Sequence, residues 1–487
     1  MTNTGVPYID VHETHTGMVV LVGDRALKAK KPVLTDFLDF RTAEQRERAC
    51  RRELELNSRL SPDSYLGLAH LSDPAGGPAE PVVVMRRYRD EDRLASIVRR
   101  GADGPVRDLL DAIAAVLARF HQGAERGPAI GAAGEAGAVD RRWRDNLAEL
   151  DRYAGTLPPE SLARVRHLAA EFVAGRGPLF GRRVAEGLIV DGHGDLLADD
   201  IFCVQGKPAL LDCLEFDDKL RYVDCVDDAA FLAMDLEFLG RKDLGAHFFE
   251  RYAAHSAHAV PSALAHFYIA YRAGVRAKVD CVRLSQGKPQ AADDAARHLA
   301  IAVEQLQTGR VRLALVGGNP GTGKSTVARA LAEQTGAQVI STDDVRRELR
   351  DSGAISGEAG VLNEGLYEPG NVATVYEAAL RRARPHLGDG RSVILDGTWR
   401  DPQLRAQARR LASETHSAAV ELRCAAATDT AAGRITTRAP GNSEVTPEIA
   451  AAMAARQAEW DTAHRIDTSG SPEDSARQAL VAWDAAV

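Results

Sequence analysis

Cysteine is scarce and unpatterned. The six cysteines, at 50, 203, 213, 225, 281 and 424, form no C-x-x-C pair and no metal-ligand spacing. That argues against a disulfide scaffold or a zinc module and leads to the expectation of reduced, mostly buried thiols in a cytoplasmic protein. Positive charge is not in excess. A net charge of −8 and an aromatic content of 5% supply neither the field nor the stacking surface of a broad nucleic-acid or membrane binder. Long apolar runs are missing too. The stretch Ala229 to Leu239 is interrupted by charge well before the roughly twenty residues that span a bilayer. The first residues, Met-Thr-Asn-Thr-Gly-Val-Pro, carry neither a basic nor an apolar leader region, so no signal peptide is expected. What is present is ordinary globular composition, 45% hydrophobic and 27% charged over 487 residues, enough for about two to four domains.

The densest motif lies at Gly318-Asn319-Pro320-Gly321-Thr322-Gly323-Lys324-Ser325-Thr326. It satisfies G-x-x-x-x-G-K-[ST], follows the apolar run Arg312 to Gly317 and precedes a helical pattern. Strand, glycine turn and helix are the context in which this motif acts as a phosphate-binding loop. Its glycines let backbone N–H groups turn toward phosphate oxygens, and the new helix presents its positive end. Lys324 is expected to reach the outer phosphates of ATP and Ser325 to ligate Mg²⁺.

Beyond residue 310 strands alternate with helices. Strands are expected at Leu313–Val316, Gln338–Ser341, Val393–Asp396, Ala419–Cys424 and near Ile466, which implies a parallel sheet covered on both faces. Two strands end in carboxylates. In Val339-Ile-Ser-Thr-Asp-Asp-Val-Arg346, Asp343 can hold or deprotonate an acceptor hydroxyl while Arg346 fixes an anionic group. The competing reading is a helix N-cap from Ser341, Thr342 or Asp343. Asp396, in Ser392 to Trp399, suits a Walker-B role beside Mg²⁺. Trp399 reads equally as core or as a stacking platform. Arg434 and Arg438 fall on one helical face before the loop 439–443, as charge-stabilising groups on a flap would, or as solvated surface arginines.

The first three hundred residues read differently. Met18–Val22, a Gly23-Asp24 turn and Ala26–Lys30 form a hairpin pattern that puts Lys28 and Lys30 on one face. Glu44–Leu60 reads as an amphipathic helix and Pro81–Met85 as a strand. The helical period appears from Asp108, 127–138 reads as a Gly/Ala-rich loop, and helices resume through residue 174. Two short strands flank the stretch 188–212, and helices run from about 224 to 307. In that stretch His193-Gly194-Asp195 is followed by Asp200 and Asp212. Such carboxylates could orient an acceptor hydroxyl and ligate Mg²⁺. The acidic run Asp217, Asp218, Asp224, Asp227 and Asp228 reads as solvated surface or helix caps, or as a cation-attracting cleft.

The segments Ala26-Leu-Lys-Ala-Lys-Lys-Pro-Val33, Glu53-Leu-Glu-Leu-Asn57, His193-Gly-Asp-Leu196, Asp212-Cys-Leu-Glu-Phe216 and Arg272 to Lys278 resemble the bacterial family that fuses an aminoglycoside phosphotransferase-like domain to a P-loop kinase. The resemblance implies a protein-kinase-like α+β fold for residues 1–308, with a small lobe to about 88 and a helical lobe beyond, followed by an α/β P-loop domain at 309–487. It implies that Lys28 (or Lys30) contacts nucleotide phosphates and pairs with Glu53. Asp195 would be the catalytic carboxylate, Asp212 the main Mg²⁺ ligand with Asp200 beside it, and His193 a scaffold residue. The chain departs from the family at Asp200, usually Asn, and at Leu197, usually His, and shows no glycine-rich covering loop near 15–25. Residues 310–487 resemble the P-loop kinases that include polynucleotide 5′-kinases, zeta-type toxins and gluconate kinases. There Asp343 and Arg346 would serve the acceptor, with Arg434 and Arg438 as lid arginines.

The expectation is therefore an ATP-dependent kinase with two kinase-type domains, the C-terminal site the surer catalyst. Its acceptor is a hydroxyl of a small molecule, a nucleotide or an RNA 5′-end. The alternative is a nucleotide-responsive P-loop switch coupled to a catalytically weak ligand-sensing module.

Overall fold

The computed structural model describes residues 8–13, 16–34, 39–72, 74, 76–101, 103–358, 364–437 and 459–486. Two compact units emerge. The first comprises 1–163, 181–260 and 265–305, and the second 164–180, 261–264 and 306–487.

The first unit opens with strands β1 (Ile9–Glu13), β2 (Gly17–Val22), β3 (Arg25–Lys30), β4 (Tyr65–Leu71) and β5 (Glu80–Arg86), which form an antiparallel sheet in the order β1-β2-β3-β5-β4. β1 and β4 were not legible in the sequence pattern. The hairpin β2–β3 was. One face of this sheet is covered by the helix Ala43–Ser58. Thr42 starts it with a capping box, its hydroxyl accepting from the Gln45 N–H while the Gln45 side chain returns to the Thr42 N–H. The helix buries Cys50, Glu53, Leu56 and Asn57, and Cys50 joins Tyr65, Val83 and Leu211 in an apolar cluster.

A helical lobe follows, built on Asp103–Gly123, Cys225–Phe238, Lys242–His255, Ser262–Ser285 and Ala291–Thr308. Two small antiparallel pairs are set against it. β6 (Ile189–Asp191) pairs with β9 (Tyr222–Asp224), and β7 (Ile201–Val204) with β8 (Lys207–Leu210). The stretch 127–138 is not the loop its composition suggested. It folds as a helix Pro128–Gly131, a 3-10 turn Ala132–Gly134 and the start of the helix Ala136–Asp151. Pro128 sits in the first turn, where its missing N–H costs nothing. Gly134 lies so close to Ile189 that a Cβ would meet it at 2.4 Å. Small residues here serve close packing rather than looseness.

The second unit is a parallel five-stranded sheet, as expected. Strands β10 (Arg312–Gly317), β11 (Gln338–Ser341), β12 (Val393–Asp396), β13 (Ala418–Ala425) and β14 (His464–Asp467) lie in the order β11-β12-β10-β13-β14. β10 is buried along its whole length, as a central strand covered on both faces must be. Ala314, Val316, Val327, Leu331, Val420, Ile466 and Trp483 form the core. Residues 164–180 belong to this unit although they precede its first strand by well over a hundred positions. Glu171 receives both arms of Arg310 at 2.8 Å. The buried Arg176 donates to the carbonyls of Leu387 and His416, and burial pushes its guanidinium down to about 10. Among the described residues no helix is long and apolar enough to cross a membrane.

Candidate functional site

At the carboxyl ends of β10, β12 and β11 the second unit gathers its polar groups. β10 runs straight into the phosphate loop. Gly318, Gly321 and Gly323 have φ of +136°, +79° and +79°, values that side chains rarely adopt. A Cβ on Gly321 would also lie 2.4 Å from the Ala431 carbonyl oxygen. Gly321→Ala should therefore force the loop off its path and weaken nucleotide binding by about tenfold or more, from strain of roughly 1–3 kcal/mol. Gly336→Ala, also at positive φ (+68°) but with open space around it, is the control, and titration calorimetry with ATP is the measurement.

The helix Lys324–Thr335 starts as the motif demands. Lys324 Nζ donates across the loop to the Asn319 carbonyl at 3.1 Å, and the Thr322 hydroxyl donates to the same oxygen at 2.7 Å. Pro320 is buried within the loop and Thr326 lies exposed in the first helical turn. Ser325 Oγ donates to Asp396 Oδ2 at 2.6 Å. Burial raises the Asp396 carboxyl above its ordinary value, Lys324 opposes this, and Asp343 and Asp344 add to it. The sheet register explains the grouping. Asp396 pairs with Val316 on one side and with Ser341 on the other.

Ser341 is the N-cap of the helix Thr342–Asp351, its hydroxyl accepting from the Asp343 and Asp344 N–H groups. The Asp343 carboxylate is thus not spent on capping. It receives Arg346 Nη1 at 2.5 Å, and the guanidinium lies 4.8 Å from the centre of the Tyr367 ring. Arg434 is held beside the loop. Its Nη2 donates to the Thr468 carbonyl at 2.6 Å, while the Thr468 hydroxyl donates to the Thr322 carbonyl at 2.8 Å. Arg438 lies outside the described residues. Trp399 is core, since it is buried, donates from Nε1 to the Leu395 carbonyl at 3.1 Å and packs edge-on to Tyr376.

In the first unit the two lysines of β3 share one carboxylate. Lys28 lies 2.7 Å from Glu53 Oε1 and 2.6 Å from Asp212 Oδ1. Lys30 lies 2.6 Å from Glu53 Oε2 and 2.5 Å from Glu215 Oε1. Lys30 is enclosed, with 4% of its side chain exposed against 19% for Lys28. The two lysines differ in position. Lys28 faces the half-buried Asp212, and Lys30 braces Glu53 from behind. Burial opposes the charge on Lys28, but Asp212 and Glu53 outweigh it and hold its pKa well above the ordinary lysine value. Lys28 in turn holds Asp212 low against burial. Glu215 was not singled out in the sequence. Its signal is its place three residues after Asp212 in the same loop.

The His193–Asp195 turn hangs from Asp228. The His193 N–H donates to Asp228 Oδ2 at 2.7 Å and the Gly194 N–H to Oδ1 at 2.9 Å. His121 Nε2 adds a third contact at 3.0 Å. Burial alone would raise the Asp228 carboxyl, yet these donors hold it far below the usual range. His193 is fully buried. Its Nε2–H donates to the Leu211 carbonyl at 3.0 Å and its Nδ1 accepts from the Asp195 N–H at 3.3 Å, as a neutral scaffold residue does. Burial pushes Asp195 up to about 6, with Arg276 opposing and Asp212 adding to the shift. Asp200 is raised well above the ordinary carboxyl value by burial and by the charges of Asp212 and Asp195.

The acidic run is thus mostly neither surface nor cation trap. Asp224 takes Arg183 Nη2 at 2.6 Å and caps the helix Cys225–Phe238. Asp227 takes Arg272 Nε at 2.7 Å, and Asp228 carries the turn. Asp217 and Asp218 are exposed, Asp217 capping a short turn and Asp218 meeting Arg52 and Arg221. No sequence pattern separated these roles, because the partners come from distant helices.

Two donor sets are relevant to Mg²⁺. Ser325 and Asp396 place a hydroxyl and a carboxylate together at the loop mouth, a hard-oxygen pair that fits the ion. Asp195, Asp200 and Asp212 crowd negative charge, with Lys28 countering it at Asp212 and Asp200. Among the described residues no three His, Cys, Asp or Glu side chains are grouped to hold a metal.

The molecule joins an α+β unit, with an antiparallel sheet, a lysine–glutamate pair and an acidic loop on a helical lobe, to an α/β unit whose parallel sheet carries the glycine-rich loop. Residues 313–460 match the family model described as "AAA domain". Over the whole length, the uncharacterized proteins Rv2004c of Mycobacterium tuberculosis (strain H37Rv) and Mb2027c of Mycobacterium bovis are 66% identical to this chain over 485 residues, 99% of this chain and 97% of theirs. The chain belongs to the family of these mycobacterial proteins. Among solved structures, it is similar to a sugar kinase from Janibacter sp. (17% identity, 36% of this chain and 95% of that one, TM-score 0.30). It is also similar to the GDP and kanamycin complex of APH(2″)-IIia (16%, 61% and 93%, TM-score 0.40). A third likeness is to the choline kinase LicA from Streptococcus pneumoniae (17%, 61% and 94%, TM-score 0.34).

Proposed function

We propose that the chain is an ATP-dependent phosphotransferase with two kinase-type sites, of which the P-loop site is the principal catalyst. The observation that carries this reading is the convergence of Lys324, the Ser325–Asp396 pair and the Asp343–Arg346 pair at neighbouring strand ends. Open α/β sheets bind their ligands at such ends. In the proposed reaction the phosphate loop and Lys324 position the nucleotide. Ser325, with Asp396 behind it, would hold Mg²⁺, which would supply charge neutralisation on the phosphates. Asp343 orients or deprotonates the acceptor hydroxyl. An anionic group on the acceptor would draw Arg346 away from Asp343 and leave that carboxylate free to take the proton. Arg434, and Arg438 in the same role, would stabilise the transferring group. The acceptor is a small molecule or a nucleotide, with an RNA 5′-end included. Six buried free thiols accord with a reducing cytoplasm.

In the first unit Lys28 would contact phosphates, Asp195 would serve as base, and Asp212 with Asp200 would face the metal. A carboxyl raised to about 6 is poised for base work near neutrality. The second reading, a switch coupled to a ligand sensor, draws support from Lys28 being engaged by Asp212 and from the extra carboxylate at Asp200. Phosphate transfer from ATP into a metabolite extract separates the two readings, run on the full chain carrying Lys324→Ala or Asp195→Asn. Two active sites predict partial loss in each variant and total loss in the double. A sensor predicts no effect of Asp195→Asn.

A further inference from the structure

The turn that follows Asp396 is held in an uncommon shape. Gly397, Thr398 and Trp399 leave β12 and pass the start of the phosphate loop. The Gly397 N–H donates to the Val316 carbonyl at 3.2 Å, and the Gly318 N–H donates to the Thr398 carbonyl at 3.3 Å. On its other side, a Cβ on Gly397 would come within 3.0 Å of Thr342 Cγ2, and Thr342 directly precedes Asp343. The turn therefore lies between the phosphate loop and the acceptor-side helix. Trp399 has a φ of +48°, an outlier for so bulky a residue. Such conformations persist only where the surroundings enforce them, and they cluster at functional sites.

The enforcing group is Tyr376, on the helix Pro369–Gly388 and 2% exposed. Its Oη accepts from the Thr398 N–H at 3.0 Å and from the Trp399 N–H at 3.2 Å, and lies 3.1 Å from Thr398 Oγ1. The direction of that last bond follows. Both lone pairs of the phenol oxygen are taken by backbone N–H groups. Were the Thr398 hydroxyl to donate as well, the Tyr376 proton would be buried without an acceptor, which native interiors avoid. Tyr376 therefore donates to Thr398 Oγ1. Burial raises the phenol pKa, against the bonds to Thr398 and Trp399 and the charge of Arg346, so this proton stays in place. The Thr398 hydroxyl keeps its own proton for another partner, and none of the described residues takes it. Thr398 is half-buried, as Lys324 and Asp343 are, so a bound ligand can reach it.

We propose that the Thr398 hydroxyl donates to an oxygen of the terminal phosphoryl group of ATP, and that Tyr376 is the positioning residue that orients it. The backbone of a phosphate loop cradles the inner phosphates. Thr398 stands instead between that loop and the helix of Asp343, where the group in transit must pass. The inference rests on the reading of the P-loop site as a nucleotide site.

The test is titration calorimetry of the full chain with ADP and with the β,γ-imido analogue of ATP, each with Mg²⁺. Thr398→Val removes the hydroxyl and keeps nearly the same shape. It should weaken the triphosphate analogue about tenfold, the scale of a lost hydrogen bond to a charged group, and leave ADP unchanged. Thr398→Ser should bind both as the wild type does. Tyr376→Phe should lose affinity for the analogue and spare ADP, because the Thr398 hydroxyl is no longer oriented. The first unit is the same in every variant, so binding there cancels from each difference. Equal weakening of both nucleotides in Thr398→Val or Tyr376→Phe would mean a purely structural turn and would overturn the proposal. No change in Thr398→Val, or a loss that Thr398→Ser does not restore, would overturn it equally. Lys324→Ala separates this failure from that of the site itself. If Lys324→Ala weakens neither nucleotide, the P-loop reading falls and takes this inference with it. If Lys324→Ala weakens the analogue and Thr398→Val does not, the present inference alone falls.

Discussion

Lys324→Ala, in a chain that also carries Asp195→Asn, should lower single-turnover phosphate transfer from ATP by about 10²–10³-fold, the usual cost of removing one preorganised charge-stabilising group. The phosphate loop itself should survive the change. Its path is set by the positive-φ glycines at 318, 321 and 323, by the Thr322 contact to Asn319 and by Thr468, whose hydroxyl holds the Thr322 carbonyl. Lys324 contributes only one contact to that path, the donation to Asn319. What disappears is the positive charge that acts on Asp396, the partner of Ser325. The Asp195→Asn background matters because a second site in the first unit would otherwise mask the loss. Retention of wild-type transfer in the double variant would remove the P-loop site from the mechanism.

Asp228→Asn should destabilise the first unit by about 3 kcal/mol, the scale expected when one partner of a buried charge network is removed. For a unit of this size that is roughly 6–10 °C in its melting transition. The two carboxylate oxygens accept from the His193 N–H, the Gly194 N–H and His121. An amide keeps one oxygen and turns an NH₂ toward a donor, leaving a buried N–H without a partner. The sign with pH follows from the depressed carboxyl. Its stabilisation is fully present above the unfolded value near 3.9 and is lost as pH falls from there toward the folded value. The difference in melting temperature between wild type and Asp228→Asn should hold steady from about pH 5 to 8 and shrink below about pH 4. His121 and His193 face the same carboxylate, and a gap that widened below pH 4 would count against this account. Transfer by the P-loop site should be untouched, because Asp228 and the phosphate loop belong to different units.

Much of the second unit was legible from residues alone. Buried parallel-sheet strands read as continuous apolar runs, and the phosphate loop needs its glycines at fixed positions, so β10, β12, β13 and the loop could be placed by pattern, while the part-exposed edge strands β11 and β14 show only short apolar signals. Period two put Lys28 and Lys30 on one face of β3, but only the packed helix Ala43–Ser58 showed that both grip Glu53 and that Lys28 faces Asp212. The loop expected at 127–138 failed for a related reason. Small residues read as flexible in sequence, while here Gly134 is small because Ile189 presses against it.

By itself the sequence determined the order of the two units, the glycine-rich loop and the strand-end carboxylates, because each depends on residues close together in the chain. The tertiary structure decided which carboxylates are spent and which are free. Asp224, Asp227 and Asp228 look alike in one acidic run, and their roles diverge only because Arg183, Arg272 and His193 arrive from other elements to meet them. Charge balance and burial are properties of surroundings, and surroundings are assembled by the fold.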